Sequence, residues 1–402
     1  MLRIGLALLA AAFAAAQTRK VSDDEVRRVH DAAILIDTHN DVTSETARGL
    51  DIGLARTSGH TDLPRLRSGG VDAVFFAVYV ASSYVEGNRS AHRALEMIDT
   101  VRHDIIGRYP NDFSLALTAA DIEAAHRRGK IAALLGIEGG HAIQDSLRLL
   151  RDFYSLGIRY MTLTHSNTNN WADSSGDVNR AEVKHHGGLT DLGRDVVREM
   201  NRLGMMVDIS HVADKTFWDA LETSRAPIFA SHSSCRSLAS IARNMTDEMI
   251  TALGKKGGVV QLNFGCSFLS QQAADFSPYS NPEVKKRLEA RLGAEVADPR
   301  ARREALRKVM EELDMKSPKA TLADVVAHID HIVKIAGIDA VGIGSDYDGV
   351  GCTPTDLEDV SKFPNLTRAL LERGYTADQI RKIYGGNLLR VMRAVEQVAR
   401  ES

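Results

Sequence analysis

Residues 131–140 read IAALLGIEGG, 158–165 IRYMTLTH, 205–211 MMVDISH and 227–232 PIFASH. Each is a short apolar run of strand type that ends on a group able to ligate a metal: Glu138, His165, His211 and His232. Upstream, residues 33–41 (AILIDTHND) repeat the pattern with His39 and Asp41, which, two residues apart on extended backbone, project the same way. Working outward, apolar runs at 33–38, 71–80, 131–137, 158–163, 205–209, 227–230, 258–264 and 340–343 give eight strand candidates. Between them lie stretches with helical spacing: 90–108, with Ala94, Ile98, Val101 and Ile105 three or four apart, then 191–203 and 214–223. Strands that alternate with helices predict a parallel sheet. No GxGxxG or Walker loop follows any run, as an open nucleotide-binding sheet would require. Polar residues instead collect at the C-terminal ends of many strands, the way a closed (β/α)8 barrel builds one site.

The segment 270–322 breaks this rhythm between the seventh and eighth strands. Its charged, helix-prone block, 283–313, is interrupted near Asp298 and Pro299 and reads as a solvated helical hairpin. The functional alternative is a lid or dimer contact, since a loop leaving that end of a barrel overhangs the site. Residues 376–400 carry an apolar stripe, Leu388, Leu389, Val391 and Met392, suited to a closing helix.

The chain has 402 residues, 44% hydrophobic and 26% charged, enough for a substantial core. A net charge of -3 and a pI near 6.5 give no general attraction for nucleic acid or anionic membrane, and favour small neutral or zwitterionic substrates. Residues 1–16 (MLRIGLALLAAAFAAA) read as a cleaved secretory signal, too short to span a bilayer. Residues 17–402 then form a single domain, and no other segment reads as a membrane anchor. Cys235, Cys266 and Cys352 allow at most one bridge, and the expectation is buried free thiols, because a domain of this size needs no disulfide framework.

A lone His-x-Asp has little specificity, and a single core histidine is more often hydrogen-bonded than metal-bound. The argument rests on coincidence: His39, Asp41, Glu138, His211 and His232 all end predicted strands, and a barrel brings those ends together. Imidazole and carboxylate together suit zinc. Asp346, in GIGSDYDG, adds a carboxylate that could take a proton from a bound water; Asp348 is the neighbouring candidate for that role, with a turn residue as the alternative reading. His165 could donate to a developing oxyanion. Arg243 lies 11 residues beyond His232, and its planar fork matches a carboxylate.

At these residues the chain resembles the membrane dipeptidase (renal dipeptidase) family of the amidohydrolase superfamily. The shared motifs are DTHND at 37–41, GIEGG at 136–140, YMTLTHSNTNNWADS at 160–174, GLTDLGRDVVREMNRLGMMVDISH at 188–211 and SHSSCRSL at 231–238, extended by RNMTDEMI at 243–250, GSDYDG at 344–349 and YGGNLLRV at 384–391. The resemblance implies two zinc ions per chain in a (β/α)8 barrel, one held by His39 and Asp41, the other by His211 and His232, with Glu138 bridging. It also implies Asp346 as the proton-transfer group, His165 beside the carbonyl, Arg243 on the substrate carboxylate, and a homodimer.

The expected activity is therefore hydrolysis of dipeptides, including those with a D-residue at the C-terminal position. Two alternatives stand beside it. One is a related amidohydrolase acting on another amide or a lactam, though such relatives commonly begin with His-x-His and bridge through a carboxylated lysine. The other is a non-catalytic metal- or peptide-binding protein, against which the intact Asp346 argues. The chain departs from animal members in the 270–322 insert and in having no C-terminal hydrophobic tail for a lipid anchor.

Overall fold

A computed structural model describes residues 19–276, 282–292, 299–312 and 318–402. The proposed signal segment, 1–16, lies outside the described residues. Eight parallel strands follow one another around the sheet: β1 (Ile36–Asn40), β2 (Ala73–Tyr79), β3 (Ile131–Glu138), β4 (Ile158–Thr162), β5 (Met206–Asp208), β6 (Phe229–Ser233), β7 (Val259–Leu262) and β8 (Val341–Ile343). All eight fall within or beside the predicted apolar runs. The helices between them make the expected (β/α)8 barrel. Helix Asp191–Leu203 shows how the sequence places them: the Thr190 side chain caps its start, Gly204 closes it in the left-handed conformation, and Val196, Val197 and Met200 form its buried face.

Closure comes from residues just beyond β8. Asp346 N donates to His39 O at 3.0 Å and Asp41 N to Tyr347 O at 2.9 Å. The buried Asp37 carboxylate accepts from Ser345 N at 2.8 Å and Ser345 Oγ at 2.6 Å. Thr38 Oγ1 lies 2.6 Å from Ser231 O and 3.1 Å from Ile343 O, crossing from β1 towards β6 and β8.

A short strand not expected from sequence, Phe113–Leu115, pairs with Ile131, Ala132 and Ala133. β4 pairs with β3 only from Leu135 upward, which leaves that lower edge open. Three residues of mixed polarity are too few to show a period, so this strand had no signal of its own.

The alternation of β3 divides the core into two clusters. Ala132 and Leu134 join Ile36, Phe75, Tyr160, Phe229, Val259, Leu388 and Met392 inside the barrel and at its base. Ala133, Leu135 and Ile137 pack outward with the helices. The last helix, Asn387–Arg400, thus closes the base through the stripe read from sequence. In the insert, helices Pro282–Leu292 and Pro299–Glu312 pair through buried Val284 and Val309, the predicted hairpin.

One expectation is corrected. Cys266 and Cys352 form a disulfide, and only Cys235 is a buried free thiol. The two segments leave the adjacent strands β7 and β8 side by side, with Cys266 N donating to Cys352 O at 3.1 Å, a proximity invisible across a separation of 86 residues. This bridge closes a long loop in the unfolded chain, so Cys352→Ser should lower unfolding free energy by about 2–4 kcal/mol, the usual range for such bridges. Urea denaturation of both proteins checks this, and coincident transitions would mean the bridge contributes nothing.

Candidate metal centre and active site

Alternation alone explains Glu138: with Ala132 and Leu134 facing inward, Glu138 faces the barrel mouth at the end of β3. It does not explain His39 or His232. Ile36 and Phe229 face inward, so regular alternation would turn both histidines away. The strand register shifts between Asp37 and Asn40 and again between Ala230 and Ser233. Each shift re-aims one side chain, a use to which bulges beside active sites are often put. The two imidazoles then stack with centroids 3.8 Å apart. His211 and Asp346 are placed by another device. Both sit in left-handed backbone, at φ 68° and 61°, a conformation that costs energy in a non-glycine residue and is held by its surroundings.

His211 is held through its carbonyl, which accepts from Ser175 N at 2.8 Å, Ser175 Oγ at 2.9 Å and Thr164 Oγ1 at 3.1 Å. Ser174 Oγ makes its closer contact with His165 O. The loop carrying His165 is thereby tied to the loop carrying His211.

The other four predicted ligands converge on Glu138. Its Oε1 lies 3.0 Å from His211 Nε2 and 3.3 Å from His232 Nε2, and its Oε2 lies 3.5 Å from His39 Nε2. Asp41 Oδ2 is 3.2 Å from His39 Nε2. His165 approaches the same carboxylate at 3.7 Å, and at 20% side-chain exposure it is the most open of these histidines. Asp346 groups with His39 and His232 within metal-ligating distance; Asn263 Nδ2 donates to its Oδ2 at 2.7 Å. Asp348 is turned aside, accepting from His60 N at 2.9 Å and facing Arg56 at 3.5 Å. Of the two adjacent carboxylates, only Asp346 belongs to the cluster.

Burial works to raise the Glu138 carboxyl, but His39 and His165 outweigh it and hold the group well below the usual carboxylate range. Burial pushes His211 and His232 well below the usual imidazole range, with Arg243 contributing to both. Burial, then the Asp41 carboxylate, push the Asp346 carboxyl well up.

These residues fit divalent metal ions. His39 Nε2 is buried and makes no hydrogen bond, and His211 Nε2 lies only 3.0 Å from His232 Nε2. Ring nitrogens aimed at one another and at a shared carboxylate are the arrangement that cations satisfy, and the nitrogen and oxygen donors suit zinc.

Arg243 stands behind His232. Its Nη1 donates to Ser233 Oγ and its Nη2 to His232 O, both at 2.8 Å, while Phe268 lies under the guanidinium at 5.6 Å. Nε is buried without a partner, so part of the donor fork is uncommitted. Burial lowers Arg243 to about 10, which leaves it protonated at neutral pH.

Sequence reading missed the layer behind the ligands. Tyr160 OH lies 2.8 Å from His39 Nδ1, Ser231 Oγ lies 2.7 Å from His232 Nδ1, and Asp208 accepts from Ser231 Oγ at 2.5 Å. The available signal was position: Asp208 ends a strand, Asn263 follows one, and Ser231 adjoins His232.

Comparison with known proteins agrees with this geometry. The model of a family described as membrane dipeptidase (peptidase family M19) matches residues 23–402. The structure of a "probable dipeptidase PvdM from Pseudomonas aeruginosa" is 27% identical with a TM-score of 0.78, over 94% of this chain and 98% of that one. A metallopeptidase from Rhodobacter sphaeroides, liganded with a phosphinate mimic of the dipeptide L-Ala-D-Ala, is 26% identical with a TM-score of 0.71, over 90% of this chain and 99% of that one.

The carbonyl clamp on His211 is open to test. Ser175→Ala removes one of its donors and leaves a strained residue less firmly held, while Ser175 N and Thr164 Oγ1 still satisfy the carbonyl, so unfolding free energy should fall by about 0.5–1.5 kcal/mol, the net worth of one hydrogen bond. Urea denaturation measures this; an unchanged midpoint would show that the left-handed backbone at His211 does not depend on the clamp.

Proposed function

The chain belongs to the membrane dipeptidase family, peptidase family M19, and from that premise we propose that it is a zinc-dependent dipeptidase holding two metal ions in the barrel mouth. The observation that carries this reading is the convergence of His39, His211 and His232 on one buried carboxylate, Glu138, with Asp41 grouped beside His39 and Glu138. His39 and Asp41 would hold one ion, His211 and His232 the other, and Glu138 would bridge them. Bound zinc supplies an acidified water and polarises the substrate carbonyl.

The chain's own residues do the rest. Asp346, oriented by Asn263, takes the proton of the attacking water and returns it to the leaving amine. His165, the most exposed of the cluster's histidines, donates to the oxygen as it gains charge. Arg243, with Nε uncommitted, grips the free carboxylate one residue beyond the scissile bond through charge-assisted hydrogen bonds. A longer peptide has no carboxylate at that distance.

Acceptance of a D-residue at the C-terminal position belongs to the same proposal, supported by the dipeptide mimic held in the Rhodobacter sphaeroides relative. Secretion or periplasmic location is supported by the apolar segment at residues 1–16 and by the Cys266–Cys352 bridge, which persists in oxidising compartments. The homodimer is inferred from the family resemblance alone.

The reading is tested by turnover of L,L and L,D dipeptides with metal measured on the same sample. About two zinc ions per chain are expected, and Glu138→Ala should lose both binuclear occupancy and nearly all turnover; full occupancy at an unchanged rate in that variant would refute the assignment. Asp346→Asn should lower kcat by roughly 100-fold or more while zinc stays bound.

Arg243→Ala should raise KM for a dipeptide and abolish its preference over the corresponding C-terminal amide. Measuring kcat/KM for acid and amide in both proteins decides this, and an undiminished preference would move carboxylate recognition to another residue.

A further inference from the structure

Asp208 is buried at the end of β5, behind the proposed ligands and apart from them. Four donors converge on its carboxylate. Oδ1 accepts from Ser231 N at 2.8 Å and Ser210 N at 3.0 Å, and Oδ2 accepts from Thr162 Oγ1 and Ser231 Oγ, both at 2.5 Å. These groups come from the end of β4, the residues after β5 and the middle of β6. A carboxylate offers about four acceptor positions and no proton, so this one is filled.

The direction of the neighbouring hydrogen bonds follows. The Ser231 hydroxyl has one proton, and its nearest acceptor is Asp208 Oδ2. The alternative acceptor on that side, Ser210 Oγ, is 3.5 Å away. Pointing the proton at His232 instead would leave two oxygen lone pairs facing each other at 2.5 Å. With its proton committed, Ser231 Oγ can only accept from His232 Nδ1, 2.7 Å away. The neutral imidazole then carries its proton on Nδ1 and offers a bare Nε2 to the barrel mouth, where Glu138 and His211 stand.

We propose that Asp208 is a positioning residue that fixes the His232 tautomer through Ser231, and so sets the metal affinity of the His211–His232 half-site. This rests on the metal assignment of the preceding subsection. His39 is the internal contrast: its Nδ1 partner, Tyr160 OH, can also donate to Thr38 O at 3.1 Å, and a phenol able to point either way enforces no tautomer.

Asp208→Asn is the decisive change. The amide fills the same space but offers a donor where Oδ2 accepted, so the Ser231 hydroxyl turns and donates to His232 Nδ1. The imidazole proton is driven to Nε2, where a cation must bind. Titration with Co2+, followed by its visible absorption, should show one site kept and the other weakened about 10–100-fold, the usual cost of losing a group that orients a metal-binding histidine.

Adding Ser231→Ala to Asp208→Asn removes the misdirected hydroxyl and should restore much of the lost affinity, whereas a merely structural role would make the double variant worse. Nitrogen-15 NMR of the metal-free wild-type protein at mildly alkaline pH should show His232 protonated on Nδ1. A His232 protonated on Nε2, or equal weakening of both sites without rescue, would overturn the proposal. The NMR result stands even if Asp208→Asn does not fold. If the wild-type protein binds no metal, the metal assignment fails while the tautomer is still decided.

Discussion

A carboxylate buried among imidazoles is the constraint on which this structure turns. Removing an ionised carboxylate from water costs several kcal/mol unless charge and hydrogen-bond partners replace the solvent. Glu138 sits at the barrel mouth with 5% side-chain exposure, and its neighbours are ring nitrogens of His39, His165, His211 and His232. Those nitrogens come from four different strands or the loops that follow them. The barrel must therefore be closed and in register before the carboxylate is compensated, which makes closure of β1 on β8 and formation of the site one event. Asp37 illustrates the coupling: it binds Ser345, next to Asp346, and lies two residues before His39.

The fold was legible because it depends on periodicity and position. Eight short apolar runs alternating with helices specify the barrel, and the residue types at their ends specify a metal centre. The two-residue spacing of Glu138 from Leu134 by way of Gly136 even gives its facing. What was not legible depends on contacts between strands. A one-residue register shift turns His39 inward, yet residues 36–40 contain nothing that distinguishes a bulged strand from a regular one. The same holds for His232. The disulfide was missed because its proximity comes from neighbouring loops, and the layer of Tyr160, Ser231 and Asp208 because serine and tyrosine in a strand read as ordinary polar alternation.

The site also divides its burdens between rigid and strained backbone. Glu138 stands on a regular strand paired along its length with β2, as the group on which the other candidate ligands converge should be. His211 and Asp346 stand in left-handed backbone, where small changes in the supporting hydrogen bonds translate into side-chain displacement. Their supports are correspondingly dense. His211 has Ser175 N, Ser175 Oγ, Thr164 Oγ1 and, more distantly, Ser174 Oγ on its carbonyl, and Asp346 has its main-chain N–H on β1 and its carboxylate on Asn263. Strain here is affordable only because neighbouring loops over-determine it.

The proposed selectivity for short substrates would follow from the same architecture. Arg243 belongs to the chain that leaves β6, the strand that also carries His232, and one of its Nη groups is bonded to the His232 carbonyl itself. The Arg243 guanidinium is thus held against the strand that carries His232 by its own side-chain hydrogen bond, made across 11 residues of chain, and under the proposed function that bond would set the distance from a metal-facing imidazole to the substrate carboxylate. Under that proposal, a ruler of this kind would measure one residue from the reacting carbonyl to a terminal carboxylate. Because the guanidinium is already bound to two protein acceptors and stacked on Phe268, little side-chain freedom is left to lose when substrate arrives. Preorganisation of this sort lets a small ligand be held firmly by few contacts, which a dipeptide, with little surface to offer, requires.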